Sequence, residues 1–201
     1  MFTAAHSQKI FEQCIGDYHK QDSVDHPISN PYNDSTIDYL LYLKCWVDTV
    51  QWHYEDLIRD PKIEPIEGMN LKRLIDKSNQ HRTDLVEKID DYFLTQFDKV
   101  QYNGNAKVNS ESPAWVVDRL SILALKLYHM KEQVARTDVD SSHKSKSGGK
   151  LAILSEQQVD LSKSFDELLV DIGNGDRKMK VYRQMKMYND PTTNPVLYKG
   201  G

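Results

Sequence analysis

The stretch "WVVDRLSILALKLYHM", residues 115 to 130, decides the fold that the sequence predicts. Ten of its positions carry large apolar side chains, which at about 100° per residue point in every direction around a helix. A helix that is apolar all round is typical of the centre of a protein. The same stretch contains Asp118, Arg119, Lys126 and His129. We therefore expect these four side chains to meet partners from neighbouring helices.

The composition indicates a globular protein of 201 residues, with 39% hydrophobic and 28% charged residues. The formal net charge of -4 provides no overall attraction to nucleic acid or to an anionic membrane. No apolar run approaches the roughly 20 residues that span a bilayer, and the N-terminus lacks the basic and apolar regions of a signal peptide. The two cysteines, Cys14 and Cys45, are interpreted as small core residues. We predict a cytoplasmic protein with no nucleic-acid partner and no membrane span.

Every segment between the proline, glycine and serine breaks has a hydrophobic period of 3.6, and none has the period of 2 that is typical of a strand. The sequence therefore predicts an all-α, single-domain bundle of about six helices over residues 1–190, with helix 113–136 buried at its centre. The low-complexity stretch 138–149 is predicted as a break, and residues 191–201 as an extended tail. The predicted helices are 4–20, 35–59, 67–98, 113–136, 150–172 and 176–188.

Two helices place polar residues on faces that are otherwise apolar. In helix 35–59, His53 lies in the middle of the apolar face, with Asp56 at its border. The opposite face carries only polar residues and is predicted to face water. Its members are Lys44, Asp48, Gln51, Glu55 and Arg59. In helix 67–98, Arg82 falls inside the apolar stripe, so its guanidinium must find a carboxylate or a ligand anion.

Our first functional hypothesis is a binding or accessory module with one polar pocket between helices. The pocket is predicted to hold an anionic group, such as the phosphate of a nucleotide sugar or of a lipid-linked precursor. Trp46, Trp52, Trp115 and Tyr128 are candidates for its flat apolar walls. The candidate ligand-binding residues are His53, Asp56, Arg82, Asp118, Arg119, Lys126 and His129.

Two further hypotheses remain open. Inward histidines and carboxylates can build a metal-dependent hydrolase of phosphorylated substrates inside a helical bundle. In that case Glu87 and Asp90, an E-x-x-D pair on one helix face, are candidate ligands of a divalent cation, and no other cofactor is predicted. Alternatively, the internal charges form a closed network that only specifies how the helices pack, and the protein is a structural scaffold.

Two C-terminal features bear on possible partners. Apolar residues at alternating steps of three and four run from Leu151 to Ile172, which is typical of a coiled-coil seam. This seam is predicted to pack inside the bundle, or else against a protein partner or a second copy of the chain. Farther on, Arg183 and Lys186 lie one turn apart on a predicted helix. They are interpreted as a solvated helix end, or as part of a segment that folds back over the mouth of the bundle.

Four strings of the sequence resemble a family of uncharacterised bacterial proteins of about this length, found in Bacteroidetes and their relatives. The strings are "LYLKCWVDTVQWHYEDLIRDP", "LKRLIDKSNQHRTDLVEKIDDYFL", "ESPAWVVDRLSILALKLYHM" and "QMKMYNDPTTNPVLYK". The resemblance covers nearly the whole chain, and it implies a stand-alone cytoplasmic helical domain of unknown function. It further implies that the gene lies near glycosyltransferases of cell-surface polysaccharide or lipopolysaccharide assembly. It brings no activity and no catalytic residue.

Overall fold

The computed structural model describes residues 2–187 and 190–199. Over these residues the chain forms five long helices and one short terminal helix, with a single isolated bridge between Lys107 and Arg177. The all-α prediction is confirmed. The helices are α1 (Ala4–Tyr18), α2 (Ile37–Leu57), α3 (Pro65–Gln96), α4 (Pro113–Ala135), α5 (Ser141–Gly173) and α6 (Pro195–Tyr198).

The helix starts follow from local chemistry. The Thr3 side chain accepts a hydrogen bond from the backbone N–H of His6, and caps α1. For α2 the cap is Thr36, so the helix begins at Ile37, two residues after the predicted boundary at residue 35. At α4, Ser112 stands at the cap position and Pro113 at the first helical position, which agrees with the predicted start at residue 113.

The structure corrects three predicted elements near the C-terminus. Helix α5 begins at Ser141 instead of residue 150, because Asp140 caps it by accepting from the backbone N–H of His143 at 2.7 Å. The cap outweighs the weak helical propensity of the Ser/Lys/Gly stretch, and α5 accommodates Gly148 and Gly149 in its interior. The predicted helix 176–188 is extended over its described residues 176–187, and its last residue lies outside the described part. The predicted tail contains α6.

A tight turn after α5 explains why no helix follows it. Gly175 has a φ of 79°, and a Cβ atom there would collide with the backbone carbonyl of Gln101. Past this turn, Lys178 donates its N–H to the carbonyl of Lys107 at 2.9 Å, and Lys107 donates to the carbonyl of Asp176 at 2.9 Å. These bonds fix the start of residues 176–187, the C-terminal segment, and hydrogen bonds of Arg183, Gln184 and Lys186 to α3 hold its later part against the bundle.

Helix α4 lies at the centre of the bundle, as predicted. It contacts α1, α2, α3 and α5, and Val117, Leu120 and Leu125 are almost fully buried.

The seam of α5 packs against α4 and α1, with Phe165 and Ile172 fully buried, so it faces the interior of the bundle. Its use by a protein partner stays a prediction. Among the described helices, none combines the length and the apolar character that a membrane span requires.

Candidate functional site

The face of α2 that was predicted to face water is buried over two of its turns. Lys44 is 0% exposed, Asp48 is 2% exposed, and Gln51 is also buried. Only the C-terminal end of this face, Glu55 and Arg59, lies near the surface, where the two side chains form an ion pair. The prediction was wrong because α2 packs against α1, α3 and α4, which leaves few directions open to water.

Buried Lys44 and Asp48 belong to an ionic network that also includes Arg82 of α3 and Asp118 of α4. Asp48 pairs with Lys44 one turn earlier, and accepts from Arg82 Nε at 2.6 Å and from Ser121 Oγ at 2.6 Å. Asp118 pairs with Lys44 Nζ at 2.6 Å and with Arg82 Nη2 at 3.2 Å. Two cations and two carboxylates therefore alternate, and the network is neutral as a whole.

The network holds Asp118 and Arg82 in their charged forms. Burial raises the pKa of Asp118, but Lys44 and Arg82 outweigh this effect and keep the pKa below its usual value. Burial lowers the pKa of Arg82, but Asp48 and Asp118 outweigh it and raise the pKa. The prediction that Arg82 finds a carboxylate is confirmed, and one of its two partners is the Asp118 that the sequence singled out.

A cleft of about 470 Å³ opens beside the network, between α3, α4 and the C-terminal segment. We call it the polar cleft. Its charged and aromatic lining residues are Lys72, Asp76, Arg82, Trp115, Asp118 and Lys186. Lys72 forms an ion pair with Asp76. The Arg82 side chain is 21% exposed, so part of its guanidinium reaches the cleft from the network.

Lys186 reaches the polar cleft from the extended C-terminal segment. Its ammonium donates to Thr83 Oγ1 at 2.6 Å and to the backbone carbonyl of Asn79 at 3.1 Å. Both acceptors are neutral, and across residues 2–187 and 190–199 Lys186 forms no ion pair. Nearby, Arg183 pairs with Asp91 and donates to the backbone carbonyl of Glu87. The alternative in which this segment folds back over the bundle is therefore confirmed.

Three histidines from different helices form a second polar group, the histidine cluster. His19 follows the C-terminus of α1, His53 lies on α2 and His129 on α4. Each offers a ring nitrogen, and these three nitrogens lie within 4.8 Å of one another. The approach of His53 to His129 was predicted, and their ring centroids are 5.7 Å apart. His19 was missed, since a single histidine at a helix end gives no sequence signal of its partners.

Aromatic rings pack against all three imidazoles. Tyr18 stacks on His53 with centroids 5.1 Å apart, and Tyr128 stacks on His19 at 4.3 Å. Trp52 stacks on the third imidazole at 4.9 Å. The rings predicted as walls of a ligand pocket are thus divided, because Trp52 and Tyr128 support the histidine cluster, while Trp115 lines the polar cleft and Trp46 is buried in the core.

The Nε2 atoms of the histidine cluster are buried, and none has a hydrogen-bond partner within the described part of the chain. The Nδ1 atom of His19 contacts the carbonyl of Ile15 at 2.7 Å, and that of His129 contacts the Glu132 carboxylate at 2.8 Å. Burial lowers the pKa of His53, the other two imidazoles lower it further, and Asp22 opposes them. The cluster is therefore a set of three half-buried imidazoles whose Nε2 atoms have no hydrogen-bond partner among the described residues.

Of the remaining predicted ligand residues, Arg119 lies apart from both groups, whereas Asp56 and Lys126 lie beside the histidine cluster. Arg119 lies on the surface and pairs with Glu111 at 3.1 Å. Asp56 and Lys126 are exposed and line a separate, mainly apolar cleft of about 530 Å³, which also touches His129. The single pocket expected from the sequence is thus replaced by distinct sites on different sides of α4, because adjacent turns of a helix face different neighbours.

The predicted metal pair of Glu87 and Asp90 is divided between two environments. Glu87 accepts from the backbone N–H of Gln184 at 3.0 Å and faces the C-terminal segment. Asp90 is buried, and burial raises its pKa, although contacts with Ser112 and with the amide of Ala114 oppose this. Over the described residues, the histidine cluster is the group whose atoms are arranged to hold a metal ion.

Similarity to known proteins gives a family but no activity. No curated protein and no solved structure matches the chain. A family model described as "Protein of unknown function (DUF4254)" matches residues 38–181. The match contains the ionic network, His53 and His129, whereas His19 and Lys186 lie outside it. Because it covers more than half of the sequence, the chain belongs to the DUF4254 family of proteins of unknown function.

Proposed function

We propose that this protein is a binding module that holds an anionic group in the polar cleft. The observation that carries the proposal is Lys186, a half-buried cation at the edge of the cleft whose hydrogen-bond acceptors, Thr83 and Asn79, are both neutral. A buried or half-buried ammonium is stabilised by an opposite charge, and a bound phosphate would provide one through short charge-assisted hydrogen bonds.

The charges around the cleft favour an anion over a cation. Lys72 is compensated by Asp76, and the ionic network behind Arg82 is neutral in total. Lys186 is therefore the charge in excess. The exposed part of the Arg82 guanidinium is held in place by its two carboxylates, so it adds donors without further loss of side-chain freedom.

The proposed ligand class is a phosphate attached to a flat or sugar-like group. Trp115 lies in the same lining and offers an apolar wall for a base or a sugar ring. The phosphate of a nucleotide sugar or of a lipid-linked precursor has this chemistry. We also propose a link to cell-surface glycan assembly, and this part of the proposal rests on the family resemblance alone.

The scaffold hypothesis accounts for the network but not for the cleft. The four charges of the network pair with one another between α2, α3 and α4, and such pairs can specify how the three helices align. That role gives no function to Lys186, which takes no part in the network. The hydrolase hypothesis in its original form needs Glu87 and Asp90 in one site, and the two carboxylates have separate environments.

Thermal unfolding and titration calorimetry with inorganic phosphate, pyrophosphate and a panel of nucleotide sugars test the proposal. A ligand that binds only the folded protein raises the melting temperature by an amount that grows with the logarithm of its concentration over Kd, so we expect a rise of roughly 5–10 °C at about 100 times Kd. The Lys186→Gln variant should bind at least about tenfold more weakly, the usual effect of removing one charge-assisted hydrogen bond.

Lys178→Gln is the matched control. Lys178 belongs to the same extended segment and is exposed, and it is not part of the cleft lining. Its substitution makes the same change in charge and should leave affinity unchanged. If both variants weaken binding equally, the effect is one of net charge and not of the cleft. If no phosphate compound binds, the network serves helix packing alone and the scaffold hypothesis takes the place of this one.

A further inference from the structure

We propose that His19, His53 and His129 bind one divalent transition metal ion of the zinc class. This site goes beyond the proposed anion binding and uses different residues and different helices. The histidine cluster is formed by α1, α2 and α4, whereas the polar cleft lies between α3, α4 and the C-terminal segment.

Two of the imidazoles are held in the tautomer that a metal needs. A carbonyl oxygen only accepts, so the contact of 2.7 Å between His19 Nδ1 and the Ile15 carbonyl places the proton on Nδ1. The Glu132 carboxylate does the same for His129 Nδ1 at 2.8 Å. In both rings the lone pair is then on Nε2. A backbone carbonyl and a carboxylate are the usual groups that support histidines bound to a metal.

The free Nε2 atoms are the second observation. All three are buried and lack a hydrogen-bond partner within residues 2–187 and 190–199. Unpaired buried acceptors are rare in folded proteins because each one loses its hydration without compensation. One water molecule donates only two hydrogen bonds, so it satisfies all three nitrogens only where the third ring, His53, carries its proton on Nε2 and donates to the water. A single cation satisfies all three lone pairs at once.

The spacing of the ring nitrogens suits such an ion. They lie within 4.8 Å of one another, and ligand atoms about 2.0–2.1 Å from a tetrahedral zinc ion are roughly 3.3 Å apart. Small side-chain rotations are therefore enough to close the site. Tyr18, Tyr128 and Trp52 stack on the three rings and limit their orientations, which prepares the cluster for an ion.

We assign the fourth ligand to Asp22, in the turn that follows α1. One of its carboxylate oxygens lies 3.7 Å from His53 Nε2 and 4.0 Å from His19 Nε2, which are distances between ligand atoms and not hydrogen bonds. Asp22 has a φ of 50°, and it is the one non-glycine residue with a positive φ over the described part of the chain. Aspartate tolerates this left-handed conformation, which closes the turn after α1 through a hydrogen bond from the Asp22 N–H to the carbonyl of Tyr18 at 3.0 Å.

Three imidazoles and a carboxylate select the ion. Nitrogen ligands of this kind suit zinc, copper, nickel and iron, and a closed tetrahedral set of three nitrogens and one oxygen favours Zn²⁺. Co²⁺ takes the same geometry and gives a visible spectrum that depends on its ligands, so it serves as the spectroscopic probe.

The test uses the full chain, without a histidine tag and after treatment with a chelator. Zn²⁺ is titrated by calorimetry and Co²⁺ by visible absorption. We expect one ion per chain and a tetrahedral Co²⁺ spectrum. His53→Ala and His129→Ala should each lower the affinity at least about 100-fold, while Glu132→Gln and Asp22→Asn should lower it about 10-fold to 100-fold.

His81→Ala is the matched control, because His81 is an exposed histidine on α3, outside the cluster. The His81→Ala protein should bind Zn²⁺ and Co²⁺ with the affinity of the unchanged protein. The Lys186→Gln protein should do so as well, because Lys186 belongs to the polar cleft and not to this site. Absence of stoichiometric Zn²⁺ and Co²⁺ binding would overturn the proposal, and so would equal losses in His81→Ala and His129→Ala. Unchanged affinity of Asp22→Asn would overturn the assignment of the fourth ligand.

A measurement on the unchanged protein covers the case in which alanine variants fail to fold. Nitrogen-15 spectra of the histidine side chains report which ring nitrogen binds an ion. On addition of Zn²⁺ we expect the Nε2 signals of three histidines to shift and those of the other four to stay in place. Shifts spread over all seven histidines would contradict a single site.

Discussion

The ionic network and the histidine cluster are both polar groups between helices of one bundle, and both include residues of α2 and α4. In the network, Asp48 and Asp118 each contact two cations, and both cations are fully paired within it. In the histidine cluster, three buried Nε2 atoms have no hydrogen-bond partner among the described residues. Both groups contain buried polar atoms, but only in the network do all of the charged side chains have partners.

This difference indicates what each group does. A network whose members satisfy one another needs nothing from outside, so it can align α2, α3 and α4 without any ligand. A cluster with unpaired acceptors lacks partners for these atoms, and it is stabilised only when a ligand supplies them. Substitutions that remove a network member should therefore destabilise the protein, and substitutions in the cluster should mainly change its response to metal.

The largest effect is expected from Asp48→Ala, which tests whether the network is closed. Removal of this carboxylate leaves Lys44 and Arg82 with only Asp118, inside a region where charges are poorly hydrated. We expect a loss of roughly 3–5 kcal/mol in the free energy of unfolding, as for other buried ion pairs that lose one partner. Denaturation with urea measures it.

Asp76→Ala is the control for this prediction. Asp76 is a partly exposed carboxylate that pairs with Lys72 four residues earlier on α3, and such pairs contribute at most about 1 kcal/mol. The double variant Lys44→Met/Asp48→Leu should cost less than Asp48→Ala, because it removes both charges together. Equal losses in Asp48→Ala and Asp76→Ala would show that the network is not a closed buried group.

The next effect is a dependence of stability on pH through Asp118. Lys44 and Arg82 keep its pKa in the folded state below the usual value, although burial opposes them. A depressed folded pKa contributes stability that is present above the unfolded pKa of about 3.9 and is lost as pH falls through the folded pKa. We expect about 1.4 kcal/mol for each unit by which the pKa is lowered.

Urea denaturation between about pH 2 and pH 7 measures this loss, and Asp118→Asn should flatten the curve at its acidic end. Exposed Asp60→Asn should leave the curve unchanged in shape. An Asp118→Asn protein with the same acidic loss as the unchanged protein would mean that Asp118 does not supply it.

A smaller effect is expected in the histidine cluster without metal. His53→Phe removes an unpaired nitrogen and keeps an aromatic ring that can stack on Tyr18, and the position is 22% exposed, which leaves room for the larger ring. We expect the free energy of unfolding of the chelator-treated protein to change by about 1 kcal/mol or less. Stabilisation by Zn²⁺ should disappear in the same variant, as thermal unfolding with and without the ion would show. A loss comparable to that of Asp48→Ala would remove the contrast between the two groups.

The smallest effect is expected from Arg119→Ala. Arg119 lies on the same helix as Asp118, but it is exposed and pairs only with Glu111 in the described structure. We expect a change within about 0.5 kcal/mol, and no change in phosphate binding. Arg82→Ala, by contrast, should cost several kcal/mol by urea denaturation, because it leaves Asp48 short of a buried partner. Similar losses in the two variants would contradict the separation of surface and network arginines.

The candidate site was predictable only in part, for reasons that particular residues show. Arg82 was found because a guanidinium inside an apolar stripe must be paired, which is a property of that residue and its own helix. Lys44 and Asp48 were missed because their side of α2 is polar, and a polar face is normally solvated. The sequence does hold one signal, since apolar residues also cover most of the other directions around α2, as they do around α4.

The sequence by itself determined α1 to α4, the larger part of α5 and the central position of α4, because caps and apolar periodicity act over a few residues along one helix. Tertiary structure alone decided which polar side chains meet. Arg82 and Asp48 are 34 residues apart, Lys44 and Asp118 are 74 apart, and Lys186 reaches Thr83 across 103 residues. Such pairs depend on how whole helices and an extended segment pack in space. Hydrophobic periodicity predicts which face of a helix is buried, but it does not predict which neighbouring helix packs against that face.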